Sequence, residues 1–172
     1  SNYLIVIIFL AAFSLRIFSA GNNPPSINWD EASLGYNAFS ILKTGKDEWG
    51  RVMPLTFEAF GDYKLPGYIY TLVPFVALFG LNEISVRLPS IIFGSLSVVF
   101  LFLIVLELSK RKDWALLSSG LLAISPWHFF LSRIALEANL AFSFFLIGLY
   151  FLIIGLRKNI YLLLASFLFG LS

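Results

Sequence analysis

Residues 88–108 read LPSIIFGSLSVVFLFLIVLEL, an apolar run of 21 residues in which Glu107 is the single charged side chain. A helix needs about 20 predominantly apolar residues to cross the hydrocarbon core of a bilayer. The basic cluster Lys110-Arg111-Lys112 follows this run at once, and cytoplasmic loops are enriched in Lys and Arg. The stretch therefore predicts a membrane-spanning helix whose C-terminal end faces the cytoplasm.

The composition of the whole chain follows the same pattern. Of its 172 residues, 59% are hydrophobic and 13% are charged, whereas an ordinary soluble domain carries about 25% charged residues. The charges are gathered between apolar runs, without a basic patch of the kind that binds nucleic acid. The chain has no Cys, which excludes disulfides within it. The pattern predicts an all-α integral membrane protein, a multi-span helical bundle, and excludes nucleic acid as a partner.

Further apolar runs predict additional spans. Arg16 lies near the end of the first run, where its charged head is expected to reach the membrane interface. No Ala-x-Ala-like site follows, which favours an uncleaved span over a signal peptide. Pro126 is expected to end or kink its helix. Because the last run stops at Ser172 in mid-span, we expect the N-terminal part of a longer protein. The predicted spans are residues 3–20, 88–108, 114–131, 134–156 and 160–172.

The basic clusters set the orientation of these spans. Arg157 and Lys158 form the second cluster, and both clusters are cytoplasmic if an even number of spans separates them. The runs 114–131 and 134–156 supply two spans. Residue 87 is then outside the cytoplasm.

The run 65–80 decides where the first long loop lies. It is short and contains two prolines. If residues 3–20 enter from the cytoplasm, this run cannot cross and forms a helix at the outer membrane surface. Residues 21–87 then form one extracytoplasmic loop, which is the arrangement that we predict. In the alternative arrangement 65–80 crosses, and residues 21–64 are cytoplasmic.

Two interfacial helices are expected in this loop, at about residues 31–43 and 66–80. Asp30 and Glu31 sit at the start of the first helix, where the helix dipole favours negative charge. A proline suits the first turn of the second helix. The connecting residues 45–62 are predicted to be irregular.

The paired carboxylates Asp30 and Glu31 are the first candidates for chemistry. At the bilayer surface one of them fits a general base or a metal ligand, and the alternative is a pair of helix-start charges. Neighbouring residues point in different directions on a helix, so at most one acts as the base. In a second pair, Lys64 fits a phosphate and Asp62 fits a metal or a substrate. The alternative for that pair is a solvated loop.

Four more polar residues are predicted on the same side of the membrane. Arg133 and Glu137 are four residues apart and share a helix face. They either pair with each other or serve a site, since ionisable groups near a span are costly. Arg87 is predicted to anchor its helix at the interface. His128 is the single His in the chain, which excludes a His-rich zinc site. It is predicted to have a structural role.

Several short motifs follow one another along the chain in a characteristic order and spacing. They are Trp29-Asp30-Glu31-Ala32, Gly35-Tyr36-Asn37-Ala38, Gly61-Asp62-Tyr63-Lys64-Leu65-Pro66-Gly67-Tyr68, Val86-Arg87-Leu88-Pro89-Ser90, Ser125-Pro126-Trp127 and Ser132-Arg133. Together they resemble the N-terminal half of the GT-C membrane glycosyltransferases, and the likeness covers nearly the whole chain. The closer likeness is to the group of protein O-mannosyltransferases, aminoarabinose transferases and Rgt-like bacterial enzymes.

This resemblance implies a polyprenyl-phosphate sugar donor, a hydroxyl acceptor on lipid, glycan or protein, and transfer at the extracytoplasmic face of the inner or plasma membrane. It implies that Asp30 is the catalytic base with Glu31 as its neighbour, and that juxtamembrane helices lie in the first loop. Glu137 approximates an acidic residue that follows the Ser-Arg pair in the family.

The resemblance leaves the cofactor unknown, with a divalent metal possible. Aminoarabinose transferases bind a metal through the Glu of a Glu-Lys-Pro-Pro run. In this chain Tyr63 precedes Lys64, so Asp62 is an imperfect candidate for that ligand.

The expected reaction is an inverting transfer in which Asp30 takes the proton of the acceptor hydroxyl. Lys64 and Arg133 are expected to stabilise the departing polyprenyl phosphate, and the apolar membrane helices to seat its tail among the lipids. The alternatives are a transporter, a scaffold or a non-catalytic homologue. A transporter is expected to place polar groups near the membrane midplane, whereas the charges here gather at the ends of the runs, which favours an enzyme.

Overall fold

The computed structural model describes residues 2–172, and within them the fold is mainly helical, as predicted. In chain order the elements are α1 (Asn2–Ile17), α2 (Trp29–Thr44), β1 (Phe57–Ala59), β2 (Asp62–Lys64), α3 (Pro66–Phe79), α4 (Glu83–Ser109), α5 (Lys112–Ile124), α6 (Pro126–Leu131), α7 (Glu137–Gly155) and α8 (Ile160–Leu171).

Among the described residues, α4 and α7 have the length and apolar composition needed to cross a membrane, with 27 and 19 residues. Helices α1, α3 and α8 are apolar but shorter. The predicted span 114–131 is divided into α5 and α6 at Ser125, because the residue before Pro126 is sterically driven out of the helical conformation. Crossing by α1, by α5 with α6, and by α8 stays a prediction.

Helix α2 begins and ends at residues that suit those positions. The Asn28 side chain accepts a hydrogen bond from the Glu31 N–H at 2.8 Å, and a Glu31 carboxylate oxygen accepts one from the Asn28 N–H at 3.2 Å. This reciprocal pair is a capping box. At the other end Gly45 has a φ of 68°, a left-handed conformation that glycine adopts without steric cost. The cap fixes Asp30 in the first turn of α2.

The two helices of the first loop are packed onto the long helices. Helix α2 packs on α3, and α3 packs on α4. Leu34, Ile69, Leu72 and Val86 are almost completely buried between them, and full burial of such a side chain stabilises by about 1.5–3 kcal/mol. Tyr68 is also buried, and its hydroxyl donates to the Val86 carbonyl at 2.9 Å. The first turn of α2 is therefore held on a rigid base.

The long helices approach their neighbours closely through small residues. Gly94 of α4 faces Ser132, and a Cβ at position 94 would overlap the Ser132 side chain. The hydroxyls of Ser97 on α4 and Ser143 on α7 lie 2.8 Å apart and share a hydrogen bond. Small and hydroxyl-bearing residues of this kind are enriched where helices associate in membranes. Helix α7 also packs on α8.

The prediction that residues 45–62 are irregular is wrong for their C-terminal part. Strands β1 and β2 form an antiparallel hairpin in which Phe57 lies opposite Lys64. Phe60 and Gly61 connect them with φ values of 53° and 79°, and positive φ at both central residues characterises the tight type I′ hairpin turn. The hairpin places Lys64 against α2.

The prediction for Arg16 is wrong, because its guanidinium is fully buried instead of reaching the interface. Its Nε donates to the Ser132 hydroxyl at 2.8 Å, and one terminal nitrogen lies 2.9 Å from His128 Nδ1. A buried charge needs such partners to offset the loss of its hydration. The contact also gives His128 the structural role that was predicted for it.

Candidate active site at the first turn of helix α2

Asp30 and Lys64 form an ion pair at the first turn of α2. The Asp30 Oδ1 lies 2.7 Å from the Lys64 Nζ. The Asp30 side chain is 38% exposed, whereas that of Lys64 is 14% exposed. The carboxylate is thus open to solvent on one side and held by a largely buried cation on the other.

Further carboxylates act on the same cation. Asp62 Oδ2 lies 3.6 Å from the Lys64 Nζ, and the charge of Glu137 also acts on Lys64. The hydrogen bond to Asp30, together with the negative charges of Asp30, Asp62 and Glu137, raises the pKa of Lys64 above its ordinary value. The structure therefore brings three of the predicted carboxylates together around the ammonium of Lys64.

Glu31 points away from this group, into the protein. Its side chain is 1% exposed and that of Arg87 is 0% exposed. The Arg87 Nε donates to Glu31 Oε1 at 2.9 Å, and a terminal nitrogen donates to Oε2 at 3.0 Å. The Ala135 backbone N–H donates to Oε1 at 2.9 Å. These contacts favour a positioning role for Glu31.

The prediction that Arg87 anchors α4 at the membrane interface is wrong. The guanidinium is enclosed by Glu31 and by the chain that precedes α2, where it donates to backbone carbonyl oxygens. A two-point pair with a carboxylate has a fixed geometry, so Arg87 orients the start of α2. The carbonyl partners belong to Ala20, Pro24 and Ser26.

The Arg133 guanidinium likewise donates its hydrogen bonds to backbone carbonyl oxygens. One terminal nitrogen donates to the carbonyls of Phe18 at 2.9 Å and Asn23 at 2.8 Å, and the other to the Leu15 carbonyl at 3.4 Å. The side chain does not pair with Glu137, and its ring partner is Phe129, at 5.2 Å from the guanidinium carbon. These contacts favour a structural role for Arg133 over the predicted phosphate-binding role.

The described residues do not fit a divalent metal at this site. No group of three or more His, Asp or Glu side chains that could hold a metal occurs within residues 2–172. Asp62, the imperfect candidate, has its side chain 74% exposed, and its Oδ1 accepts the Tyr63 N–H at 2.8 Å. The ammonium of Lys64 lies between Asp30 and Asp62, where a cation shared by these carboxylates would be placed.

Two features of this site were not predicted from the sequence. The Glu31–Arg87 pair joins residues that are 56 positions apart, and each partner alone fits a simpler explanation. The hairpin that positions Lys64 was not predicted, because Phe60 occupies a turn position at which Asn or Asp is usual. The Gly61-Asp62 step was the one local hint of a turn.

Comparison with known proteins gives one family. A family model described as dolichyl-phosphate-mannose-protein mannosyltransferase matches residues 64–172, which is more than half of the chain. The match takes in Lys64, Arg87 and Glu137, and helix α2 precedes it. No curated protein and no solved structure matches the chain. The match confirms the resemblance to membrane glycosyltransferases, and the chain belongs to the dolichyl-phosphate-mannose-protein mannosyltransferase family.

Proposed function

We propose that this chain takes part in moving a sugar from a polyprenyl-phosphate donor to an acceptor hydroxyl at the extracytoplasmic face of the membrane. The observation that carries the proposal is the pair of Asp30 and Lys64, 2.7 Å apart at the first turn of α2. It combines a partly exposed carboxylate, which can take a proton, with a cation that can hold a phosphate.

In the proposed reaction the acceptor oxygen attacks the anomeric carbon from the face opposite the phosphate. The acceptor hydroxyl gives its proton to Asp30 as the new carbon–oxygen bond forms. The bond between the anomeric carbon and the phosphate oxygen breaks, and its electron pair leaves with the polyprenyl phosphate. The configuration of the sugar is inverted. Asp30 afterwards returns the proton to water.

Lys64 is suited to stabilise the leaving phosphate, which gains one negative charge in this step. A positioned cation in a partly dehydrated site stabilises developing charge strongly. The raised pKa of Lys64 keeps the ammonium charged at physiological pH. Glu31 and Arg87 position Asp30 through the capped first turn, and Asp62 and Glu137 hold Lys64 in place.

The extracytoplasmic location of the site is supported by the charges at the two ends of α4. Glu107 near its C-terminal end pairs with both Lys110 and Arg157, at 2.7 and 2.6 Å. The two basic clusters therefore meet at one end of the bundle, as expected for a cytoplasmic end. Helix α4 is about 40 Å long at 1.5 Å per residue, and Arg87 and the site lie at its other end.

The test uses the intact protein in lipid nanodiscs with a panel of polyprenyl-phosphate sugars, each supplied together with lipid, glycan and peptide acceptors that carry a free hydroxyl. We expect release of free polyprenyl phosphate by wild type and a loss of about 100-fold or more in Asp30→Asn, the range for removal of a general base. Glu83→Gln is the matched control, because Glu83 is likewise an exposed acidic residue in the first turn of a capped helix but lies on α4, outside the proposed site. Equal release by wild type and Asp30→Asn would refute Asp30 as the base, and no release with any donor would refute the donor class.

A further inference from the structure

A groove of about 580 Å³ lies between α2 and the hairpin. Its walls combine exposed aromatic rings with carboxylates. Tyr36 and Trp49 are 53% and 62% exposed, and Phe60 is 73% exposed. Glu48 and Glu58 contribute the carboxylates. Four small residues also line it, namely Ala32 and Ser33 of α2, Ala59 of β1 and Gly61 of the hairpin turn.

The indole of Trp49 is held in one orientation. Its Nε1 donates to the Glu58 backbone carbonyl at 2.8 Å. Its backbone N–H donates to Asp47 Oδ1 at 3.0 Å, and the same oxygen accepts the Arg51 N–H at 2.7 Å. Asp47 is buried. The ring is therefore fixed by its own loop while remaining exposed, so little side-chain freedom is lost when a ligand stacks on it.

The two carboxylates are also held in place. Asn37 is fully buried, donates to Glu48 Oε1 at 2.8 Å and accepts the Glu48 N–H at 3.1 Å. Glu58 Oε2 accepts from Arg51 at 2.7 Å. Within residues 2–172, the second oxygen of each carboxylate has no hydrogen-bond partner and can accept from a ligand. With Arg51 counted, these groups leave one net negative charge, which disfavours an anionic ligand.

This combination matches the chemistry of a neutral carbohydrate. The face of an aromatic ring carries a negative quadrupole, which attracts the weakly positive C–H groups on the face of a pyranose. Hydroxyl groups supply the donors that ionised carboxylates need, since a carboxylate only accepts. The groove thus offers one flat stacking surface in Trp49 and two acceptors beside it, in Glu48 and Glu58.

An extended peptide fits the groove less well. Peptides commonly bind at a sheet edge by adding a strand through main-chain hydrogen bonds. Here β1 has three residues, and its central carbonyl, that of Glu58, already accepts from the Trp49 indole. The indole therefore covers the edge at which a peptide strand would pair.

The groove adjoins the proposed base. Ser33 lies three residues after Asp30 on α2, which is about 4.5 Å along the helix axis. Trp29, the residue before Asp30, packs against Phe60 with ring centroids 6.1 Å apart. The groove consequently begins within one helical turn of Asp30 on α2.

We propose that this groove binds the acceptor and that the acceptor is a neutral carbohydrate, so that transfer is made onto a sugar hydroxyl. The identification of the bound sugar as the acceptor rests on the proposed function, because that function places the base at Asp30. The binding of a neutral sugar depends only on the side chains of the groove.

The test measures binding without turnover, by saturation-transfer NMR on the intact protein in nanodiscs. The probes are methyl α-mannoside, methyl β-glucoside and methyl β-galactoside, each at millimolar concentration, and an acetylated, amidated Thr-containing peptide. We expect transfer to at least one glycoside and none to the peptide. Trp49→Ala is expected to weaken the glycoside by roughly fivefold, the size of one stacking contact. Trp49→Phe is expected to keep most of the binding.

Trp114→Ala is the matched control, since Trp114 is 50% exposed at the start of α5, beside the basic cluster. It is expected to leave glycoside binding unchanged. If saturation transfer reached the peptide and was lost in Trp49→Ala, the proposal would be overturned in favour of a protein acceptor. The proposal would also be overturned if no glycoside gave a signal, or if the signals of wild type and Trp49→Ala were equal. Either result would indicate that the groove faces lipid. Glycoside binding with normal donor turnover in Asp30→Asn would refute the proposed base and keep the groove.

Discussion

Arg87 and Glu31 form a two-point ion pair with no measurable solvent exposure on the arginine side, and it joins α4 to the first turn of α2. Backbone groups supply further hydrogen bonds to both side chains. The Ala135 N–H donates to Glu31, and three backbone carbonyls accept from Arg87. Glu31 follows Asp30 directly in the sequence, but its side chain is buried against Arg87, whereas that of Asp30 is partly exposed. The position of the proposed base thus depends on a contact behind it.

Replacement of Arg87 by Gln is expected to destabilise the fold strongly. The change leaves the Glu31 carboxylate buried without its charge partner, a situation that costs about 3–5 kcal/mol. The measurement is the unfolding temperature of the intact protein in detergent, followed by fluorescence-detected gel filtration. Arg51→Gln is the control, because its pair with Glu58 is exposed and a surface ion pair contributes little to stability. Similar melting shifts for both variants would contradict the structural role of Arg87.

Replacement of Lys64 by Gln is expected to lower turnover by about 100-fold or more, because the leaving phosphate loses its positioned charge. The affinity for the donor is expected to fall as well, since the ground-state phosphate is also negative. The measurements are kcat and KM for a polyprenyl-phosphate sugar in nanodiscs. Lys46→Gln, at an exposed position in the same loop, is the control. Unchanged kcat in Lys64→Gln would remove this residue from the reaction.

Replacement of Gly94 by Ala is expected to separate α4 from Ser132. The added Cβ has no room there, and overpacking of this kind costs about 1–3 kcal/mol. The measurement is again the unfolding temperature in detergent. Gly120→Ala is the matched control, because nothing lies within 4 Å of a Cβ at that helical position. If the two variants melt alike, the close approach at Gly94 is not a source of stability.

The orientation of the chain can be tested by thiol labelling, because its 172 residues contain no Cys. Single cysteines at Lys46 and Lys158 are expected to differ. The first is expected to react with an impermeant maleimide on intact cells, and the second only after the membrane is opened. This follows from the basic clusters at one end of the bundle. Reaction of Lys46→Cys only in opened cells would place the proposed site in the cytoplasm.

Local signals in the sequence predicted the helices well. Asp30 and Glu31 marked the start of α2, Pro66 the start of α3, and Pro126 the break between α5 and α6. These signals act within one turn of a helix, so they can be recognised without knowing the rest of the fold.

The partners of the arginines could not be predicted in the same way. Arg16 and Arg87 lie near the ends of apolar runs, which made the membrane interface the simplest place for them, and Arg133 was predicted to pair with Glu137 or to hold the phosphate. The structure buries all three, because carbonyl groups, a carboxylate and a hydroxyl from distant segments converge on them. Helix packing decides which segments converge on each arginine. This packing cannot be predicted from a single sequence.

The buried contact of Arg16 has a consequence for the order of assembly. Its partner Ser132 is 116 residues further along the chain, and ribosomes add about 5–20 residues per second, so about 6–23 s pass before that partner exists. During this interval we expect the guanidinium to reside at the membrane surface, where an isolated charge is least costly. Helix α1 is therefore made well before it can take its final place against Ser132.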